Sequence, residues 1–193
     1  MIAIMGASAT GKTELVKEIQ KHNFERIITY TTRPPRDGED DTSYHFVSDE
    51  EFISMKKSGD FAETQDYYTE HGVWRYGSGK IDYLINENSV IILTPSGIRD
   101  VEETFADNKR LNMFRVLIVS PYYTRKKRLE ERGDDAVEVI RRMRADELDF
   151  YDAHKYADLV VHNNGELSIE ELARYIIQNY RTWRWKREKS RQN

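Results

Sequence analysis

The fold of this chain is decided by one short stretch, Ile2-Ala3-Ile4-Met5-Gly6-Ala7-Ser8-Ala9-Thr10-Gly11-Lys12-Thr13. Its apolar start predicts a buried strand, and Leu15, Val16 and Ile19 recur at helical spacing after the loop. The loop from Gly6 to Thr13 fits the pattern G-x-x-x-x-G-K-[ST] at every position. Its glycines let the backbone curl around a phosphate, while free N–H groups and the helix N-terminus attract the anion. The stretch therefore predicts a phosphate-binding strand–loop–helix unit.

The same loop predicts roles for its side chains. Lys12 is expected to reach the β- and γ-phosphates of ATP, and the Thr13 hydroxyl is expected to ligate Mg²⁺. The rest of the predicted ATP site is the loop backbone, at Gly6, Ala7, Ser8, Ala9, Thr10 and Gly11. The alternative is a chance match in a glycine-containing turn, and the flanking strand and helix argue against it. The loop does not identify the phosphate acceptor.

Composition narrows the class of protein. The chain has 193 residues, of which 33% are charged, with a net charge of −4, and this predicts one compact domain without nucleic acid as its main partner. Cysteine is absent, which excludes disulfides and thiolate chemistry and fits a cytoplasmic protein. We expect neither a secretory signal nor a membrane span. The tail from Arg181 to Arg191 mixes tryptophans with cations. It is interpreted as a basic helix end packed on the core rather than a surface that stacks on nucleic acid.

Strand and helix patterns alternate through most of the chain, which predicts an α/β fold with a parallel sheet flanked by helices. The further predicted strands of this sheet are Arg26–Thr29, Val90–Leu93, Phe114–Val119 and Leu159–Val161. The predicted helices after the first are Ser78–Asn86, Gly97–Phe105, Pro121–Arg132, Val137–Tyr151 and Ser168–Tyr180.

Residues 30–79 break this alternation. Ser48 with Glu51 predicts a capped helix over Asp49–Lys57. The rest of the segment predicts short aromatic-rich strands at Tyr44–Val47, Phe61–Glu63, Asp66–Tyr68 and Val73–Tyr76, with a turn at His71-Gly72. We expect a small antiparallel lobe inserted between two parts of the core.

Several motifs in order resemble the guanylate kinase family. Besides the phosphate loop, they are Thr31-Thr32-Arg33-Pro34-Pro35-Arg36-Asp37-Gly38-Glu39, Tyr44-His45-Phe46-Val47-Ser48, Tyr76-Gly77-Ser78 and Lys127-Arg128-Leu129-Glu130-Glu131-Arg132-Gly133. The resemblance implies a P-loop NTPase core, an inserted antiparallel acceptor-binding lobe and a helical lid. In one domain, these would be the core at about 1–29, 80–124 and 146–193, the lobe at about 30–79 and the lid at about 125–145. It further implies γ-phosphoryl transfer from ATP to GMP or dGMP with Mg²⁺, by a monomer or homodimer.

Two arginines three residues apart, stiffened by two prolines, suit a phosphate dianion. In the family this pair, here Arg33 and Arg36, grips the phosphate of GMP. Tyr44 and Tyr76 fall at the positions of tyrosines that add hydroxyl contacts to that phosphate. For either tyrosine alone, an ordinary aromatic residue of a strand is the alternative.

The resemblance also implies how the base is chosen. Glu63 falls at the position of a glutamate whose carboxylate accepts from N1–H and the exocyclic amine of guanine. Adenine offers neither donor, so the carboxylate would be left unpaired, and such mismatches discriminate strongly. Ser78 and Thr29 match family hydroxyl positions around the base.

The cations of the predicted lid complete the site. Arg128 and Arg132 are four residues apart on a predicted helix and so share one face. Arg142 resembles the third arginine of the family, and a one-residue gap leaves Arg141 as an alternative. With Lys12 these are the predicted catalytic residues. We expect no general base, because a phosphate with a second pKa of about 6 is already nucleophilic near neutral pH.

Three departures from the family pattern leave other functions open. The loop Asp40-Asp41-Thr42-Ser43 is about one residue shorter than usual and lacks a glycine. Ile92 and Thr94 stand where guanylate kinases typically have an Asp-x-Asp, and the chain between Glu63 and Tyr76 is a few residues longer. A kinase for another phosphorylated acceptor, such as ribose bisphosphate, is therefore one alternative. A non-catalytic binding module of the same fold is another, and the intact loop from Gly6 to Thr13 argues against it.

Overall fold

A computed structural model of the chain describes residues 1–35, 42, 44–69, 72–86, 88–108, 111–133 and 135–191. Its strands are β1 (Ile2–Met5), β2 (Glu25–Arg26), β3 (Tyr30–Thr31), β4 (His45–Phe46), β5 (Phe61–Thr69), β6 (Gly72–Gly79), β7 (Ser89–Ile92), β8 (Phe114–Val119) and β9 (Leu159–His162). Its α-helices are α1 (Lys12–Gln20), α2 (Asp49–Ser58), α3 (Asp82–Ile85), α4 (Pro95–Thr104), α5 (Tyr122–Glu131), α6 (Ala136–Asp149) and α7 (Ile169–Ser190). A short 3₁₀ helix covers Ala153–Tyr156.

The larger sheet has five parallel strands in the order β2-β7-β1-β8-β9. Its central strand β1 is buried on both faces. Ile2 and Ile4 join one apolar cluster with α1 and α7, while Ala3 and Met5 join a second cluster on the opposite face. Because strands buried on both faces need no polar alternation, the apolar run at Ile2–Met5 was sufficient to predict them. The predicted parallel sheet flanked by helices is confirmed.

The second sheet has four strands in the order β4-β3-β6-β5. Its long hairpin β5–β6 is antiparallel, with Glu63 opposite Ser78 and Thr69 opposite Gly72, and β3 is antiparallel to β6. The short pair β3–β4 is parallel, with Tyr30 opposite His45. Two of the three ladders therefore have the predicted direction.

Some predicted bounds need correction. Phe61–Glu63 and Asp66–Tyr68 are parts of one strand, because the pairing with β6 continues through the residues between them. The predicted helix Ser78–Asn86 is wrong at its start, since Ser78 and Gly79 still pair with β5 and only Asp82–Ile85 is helical.

Two further predicted bounds also differ from the structure. Of the strand predicted at Arg26–Thr29, only Arg26 is in a strand of the larger sheet, because β2 covers Glu25–Arg26. The turn predicted at His71-Gly72 falls partly outside the described residues, which resume at Gly72.

Helix α7 is longer than predicted and continues through the basic tail to Ser190. Trp183 packs against the core, with its ring 5.4 Å from that of Phe114, as expected. Trp185 differs, because it is 55% exposed and lies beneath Lys189. Among the residues that the structure describes, no helix combines the length and apolarity needed to cross a bilayer.

The carboxyl ends of the parallel strands meet at one edge of the sheet, as in other open parallel sheets that bind ligands there. The phosphate loop follows β1 at this edge, and Thr94 follows β7. Asn163, which follows β9, donates from its Nδ2 to the carbonyl of Thr10 at 2.9 Å. Ser120, after β8, donates to the Asn163 carbonyl at 2.7 Å. Neighbouring strand ends therefore hold the loop in place.

Candidate active site

A cleft of about 950 Å³ opens at this edge, between the phosphate loop, the second sheet and helix α6. It is the place where the predicted site residues of three separate segments come together. Lys12 lines it from the end of the loop, Glu63 from β5 and Arg33 from the residues after β3. Arg132 and Arg142 line it from the α5–α6 segment. The predicted donor and acceptor sites therefore face one shared space.

The phosphate loop is curled by its own hydrogen bonds. Lys12 Nζ and Thr10 Oγ1 both donate to the carbonyl of Ala7, at 2.8 and 2.9 Å. Gly11 precedes α1 with φ of 91°, a left-handed conformation that favours glycine. A Cβ at Gly11 would also lie 2.5 Å from the amide nitrogen of Asn163. Glycine is thus required at this position both for backbone conformation and for space.

Lys12 loses its proton more readily than an ordinary lysine, because its pKa is lowered. The pKa of its ammonium group is lowered to about 8, mainly by burial; Asp146 opposes this shift, and the nearby cations Arg125 and Arg132 contribute to it. A nucleoside triphosphate in the cleft would add negative charge beside the ammonium and favour its charged form. The charge of Lys12 therefore depends on whether phosphate groups are bound beside it.

Thr13 lines the cleft directly after Lys12, and its side chain is exposed. One hydroxyl suits a divalent cation that brings its other oxygen ligands as water and substrate phosphates. Within the described ranges no group of three or more histidines and carboxylates is placed to hold a metal ion. At the end of β7, Ile92 and Thr94 line the cleft, and the Thr94 hydroxyl accepts from the Gly97 N–H at 3.0 Å to cap α4.

Arg33 is held at the wall of the cleft among aromatic rings, although it is only 5% exposed. Its Nε donates to the hydroxyl of Tyr76 at 3.1 Å, and its guanidinium lies 5.4 Å from the ring centre of Tyr44. The rings of Tyr44 and Tyr76 meet edge to face at 5.8 Å. Three of the four predicted phosphate contacts therefore form one cluster, and the fourth, Arg36, lies outside the described residues.

Glu63 lies at the floor of the cleft and is 7% exposed. Ser78, opposite it on β6, is fully buried and donates from Oγ to Glu63 Oε1 at 2.8 Å. Burial raises the pKa of the Glu63 carboxyl to about 7, with Asp100 adding to the rise and the bond from Ser78 opposing it. Thr29 also lines the cleft, whereas Ser78 reaches it only through Glu63.

The predicted arginines of α5 and α6 have different surroundings. Arg141 and Arg142 both line the cleft and both bind Glu138, from Nε atoms at 2.7 and 2.6 Å. Hydrogen bonding from Arg141, and then from Arg142, lowers the pKa of Glu138 to about 2, so the two alternatives share one anion. Arg128 donates instead to the carbonyl of Ala9 at 3.1 Å and so holds the loop.

A carboxylate that sequence reasoning missed also binds the phosphate loop. Asp146 of α6 accepts from the backbone N–H of Ser8 at 3.0 and 2.9 Å and from the Ser8 hydroxyl at 3.2 Å. Arg125 donates from Nη2 to Asp146 and from Nε to the Ser8 carbonyl. In the sequence, Asp146 is one of many charged residues on a helix, and only the folded chain distinguishes it.

Another missed set follows from strand alternation. Gln65, Tyr67 and Thr69 share one face of β5 with the predicted Glu63, and all four line the cleft. Gln65 donates to Asp100 at 3.2 Å and accepts from Ser96 at 3.3 Å, which ties the hairpin to α4. The period of two along the strand was the available signal, and the extra length between Glu63 and Tyr76 is this longer hairpin.

Comparison with known proteins fits this arrangement. A family model described as guanylate kinase matches residues 1–179. The chain belongs to the guanylate kinase family. A guanylate kinase from Nitrosococcus oceani is 32% identical over 200 residues, covering 98% of this chain and 93% of the relative. One from Neisseria meningitidis serogroup B is 32% identical over 182 residues, covering 90% and 84%.

The fold of the guanylate kinase family is also found in solved structures. The crystal structure of guanylate kinase from Anaplasma phagocytophilum superposes with a TM-score of 0.66 at 20% identity, covering 94% of this chain and 85% of the other. This likeness confirms the fold class. The family match and these relatives together identify the protein as an ATP-dependent nucleoside monophosphate kinase.

Proposed function

We propose that the protein transfers the γ-phosphoryl group of ATP to GMP or dGMP, giving ADP and GDP or dGDP. The observation that carries this proposal is the buried carboxylate of Glu63 on the same cleft as Arg33 and the phosphate loop. A buried carboxylate must be paired or remain costly, and guanine offers it two adjacent N–H donors. AMP offers neither donor, so only the bond from Ser78 would remain to the carboxylate, and the same group would both bind guanine and reject adenine.

The acceptor phosphate is assigned to the cluster of Arg33, Tyr44 and Tyr76, with Arg36 expected to join it. A guanidinium and two phenol groups match the oxygens of a phosphate dianion. An oxygen of that phosphate attacks the γ-phosphorus of ATP, the bond between the γ-phosphorus and the β–γ bridging oxygen breaks, and the electron pair stays on ADP. The acceptor oxygen arrives largely deprotonated, so no general base is required.

Catalysis then consists of alignment and of neutralising charge on the transferring group. Lys12 and the loop N–H groups bind the β- and γ-phosphates, and Arg132 and Arg142 are assigned to the transferring group. Arg128 is assigned to the catalytic set through its bond to the loop at Ala9. Mg²⁺ is proposed as the divalent cation, held by the Thr13 hydroxyl and by phosphate oxygens, where it would neutralise phosphate charge.

The proposed division of labour follows the elements that carry these groups. The core is residues 1–29, 80–124 and 146–193, the acceptor-binding lobe is 30–79, and the lid is 125–145. The second sheet supports the lobe assignment because Glu63 lies on its strand β5 and Arg33 follows its strand β3. Arg132, which follows α5, and Arg141 and Arg142 of α6 line the cleft, and they support the lid assignment.

A panel of acceptors tests the proposal. ADP release with Mg-ATP is measured against GMP, dGMP, AMP, UMP and ribose bisphosphate, with the variant Glu63→Gln run in parallel. We expect turnover with GMP or dGMP at least about a hundredfold above AMP, and loss of that preference in the variant. The presence of Ile92 and Thr94 at the end of β7 is the reason to include ribose bisphosphate. Preferred turnover of ribose bisphosphate would overturn the assignment of GMP.

A further inference from the structure

We propose that Tyr83 is a positioning residue for acceptor selection, which acts through Ser78 to orient the Glu63 carboxylate toward the base. This inference rests on the proposed function, because it deepens the role assigned to Glu63. Tyr83 belongs to the short helix α3, whereas Glu63 and Ser78 lie on the strands β5 and β6.

The three side chains form a buried line of hydrogen bonds. The Tyr83 hydroxyl lies 2.7 Å from Ser78 Oγ, and Ser78 Oγ donates to Glu63 Oε1 at 2.8 Å. Ser78 is fully buried, and Glu63 and Tyr83 are 7% and 5% exposed. Only Glu63 of the three lines the cleft, so the line runs from α3 through β6 to the cleft.

The number of available protons determines which group donates in each of these two hydrogen bonds. An ionised Glu63 can only accept, so the single Ser78 proton must point to Glu63. The Ser78 oxygen then has only lone pairs left for Tyr83, and the Tyr83 proton must point to Ser78. Burial raises the pKa of Tyr83, so its hydroxyl stays protonated and able to donate. The arrangement therefore favours the ionised form of Glu63, in opposition to the effect of its burial.

The hydroxyl of Ser78 binds only one of the two carboxylate oxygens of Glu63. Ser78 occupies Oε1, while Oε2 lies beside Gly97, where a Cβ would approach it to 3.4 Å. A glycine at this position keeps the space next to Oε2 open. Tyr83 itself is held by packing, with its ring 5.5 Å from that of Phe105. A rigid donor at one end and an open oxygen at the other are what a base-reading carboxylate needs.

A double-mutant cycle on Tyr83→Phe and Ser78→Ala tests the inference, with the KM for GMP, the KM for ATP and kcat measured for each variant. We expect Tyr83→Phe to raise the KM for GMP by about fivefold, the effect of one lost hydrogen bond, and to leave the KM for ATP unchanged. In the Ser78→Ala background the same change should have almost no further effect, because the line is already broken.

Tyr180→Phe is the matched control. Tyr180 is also buried, and its hydroxyl accepts from the N-terminal amine at 3.1 Å on the far side of the sheet. It should lose stability comparably without a change in the KM for GMP. An unchanged KM in Tyr83→Phe, or effects that simply add in the double variant, would overturn the inference. If Glu63→Gln still loses guanine preference in that case, the proposed function stands and only the role of Tyr83 fails.

Discussion

The carboxylate of Asp146 accepts hydrogen bonds from the backbone N–H of Ser8 at 3.0 and 2.9 Å, so a side chain of α6 occupies a donor of the phosphate loop. Arg125 neutralises this carboxylate, and Asp146 is only 8% exposed. An anion is thus present at a loop whose N–H groups are suited to phosphate. Asp146 and an incoming triphosphate are both negative and compete for the same donors.

Replacing Asp146 with asparagine is expected to strengthen ATP binding. The change removes the negative charge beside the loop and leaves the Arg125 cation available to phosphate, so we expect the Kd of ATP to fall by about fivefold. AMP, which lacks the β- and γ-phosphates, should show little change. Titration calorimetry with ATP and AMP measures both. Asp149→Asn, the same charge change one turn later on α6, is the control, and weaker ATP binding in Asp146→Asn would show that the carboxylate supports the loop instead.

From the lowered pKa of Lys12 we predict that a proton is taken up when ATP binds. Its pKa is lowered to about 8 in the free protein, so at pH 8 about half of the ammonium groups have lost their proton. Bound phosphates favour the charged form, and ATP binding at pH 8 should therefore be accompanied by uptake of about half a proton per site. The Kd of ATP should rise as pH rises above 8.

Calorimetry in two buffers of different ionisation enthalpy measures this uptake. Lys12→Met should abolish it and lower kcat by about a hundredfold, the usual effect of losing one charge-stabilising donor. Lys17→Met is the control, because Lys17 lies on the same helix but is exposed and pairs with Glu14. Proton uptake that persists in Lys12→Met would assign it to another group.

We expect Arg33 to contribute to binding of the acceptor but not to binding of ATP. We use Arg33→Lys, which keeps the buried charge but loses the planar fork that reaches Tyr76. The KM for GMP should rise by about tenfold or more, and the KM for ATP should not change. Arg75→Lys is the matched control, since Arg75 is the neighbour of Tyr76 on β6 but pairs with Asp49 and Asp66 away from the cleft. Equal effects of the two variants would indicate a general loss of sheet stability.

The sequence predicted those parts of the fold and site that depend on local patterns. The apolar strand at Ile2–Met5 and the loop after it are contiguous, and the capping box of Ser48 and Glu51 forms as predicted. The contacts of Asp146 and Tyr83 were not predictable in this way. Each joins residues from different elements, and a carboxylate on a helix or a tyrosine in a short helix carries no periodic signal. The false helix start at Ser78 has the same origin, because its pairing partner is on another strand.

From the raised pKa of Glu63 we predict that a rise in pH strengthens GMP binding and weakens the stability of the fold. Its pKa is raised to about 7 by burial, and in the proposed function the ionised form binds guanine, so the KM for GMP should fall as pH rises from 6 to 8. A raised pKa in the folded state also means that the neutral carboxyl is the more stable form, so its contribution to stability is lost as pH rises through about 7. Glu63→Gln should therefore melt at a higher temperature than the wild type at pH 8, and the difference should shrink as pH falls from about 7 toward 4.5, the ordinary pKa of a glutamate. Thermal unfolding across this range and the KM for GMP of the same two proteins test both effects. A KM with the same pH dependence in wild type and variant would assign that dependence to the GMP phosphate rather than to Glu63.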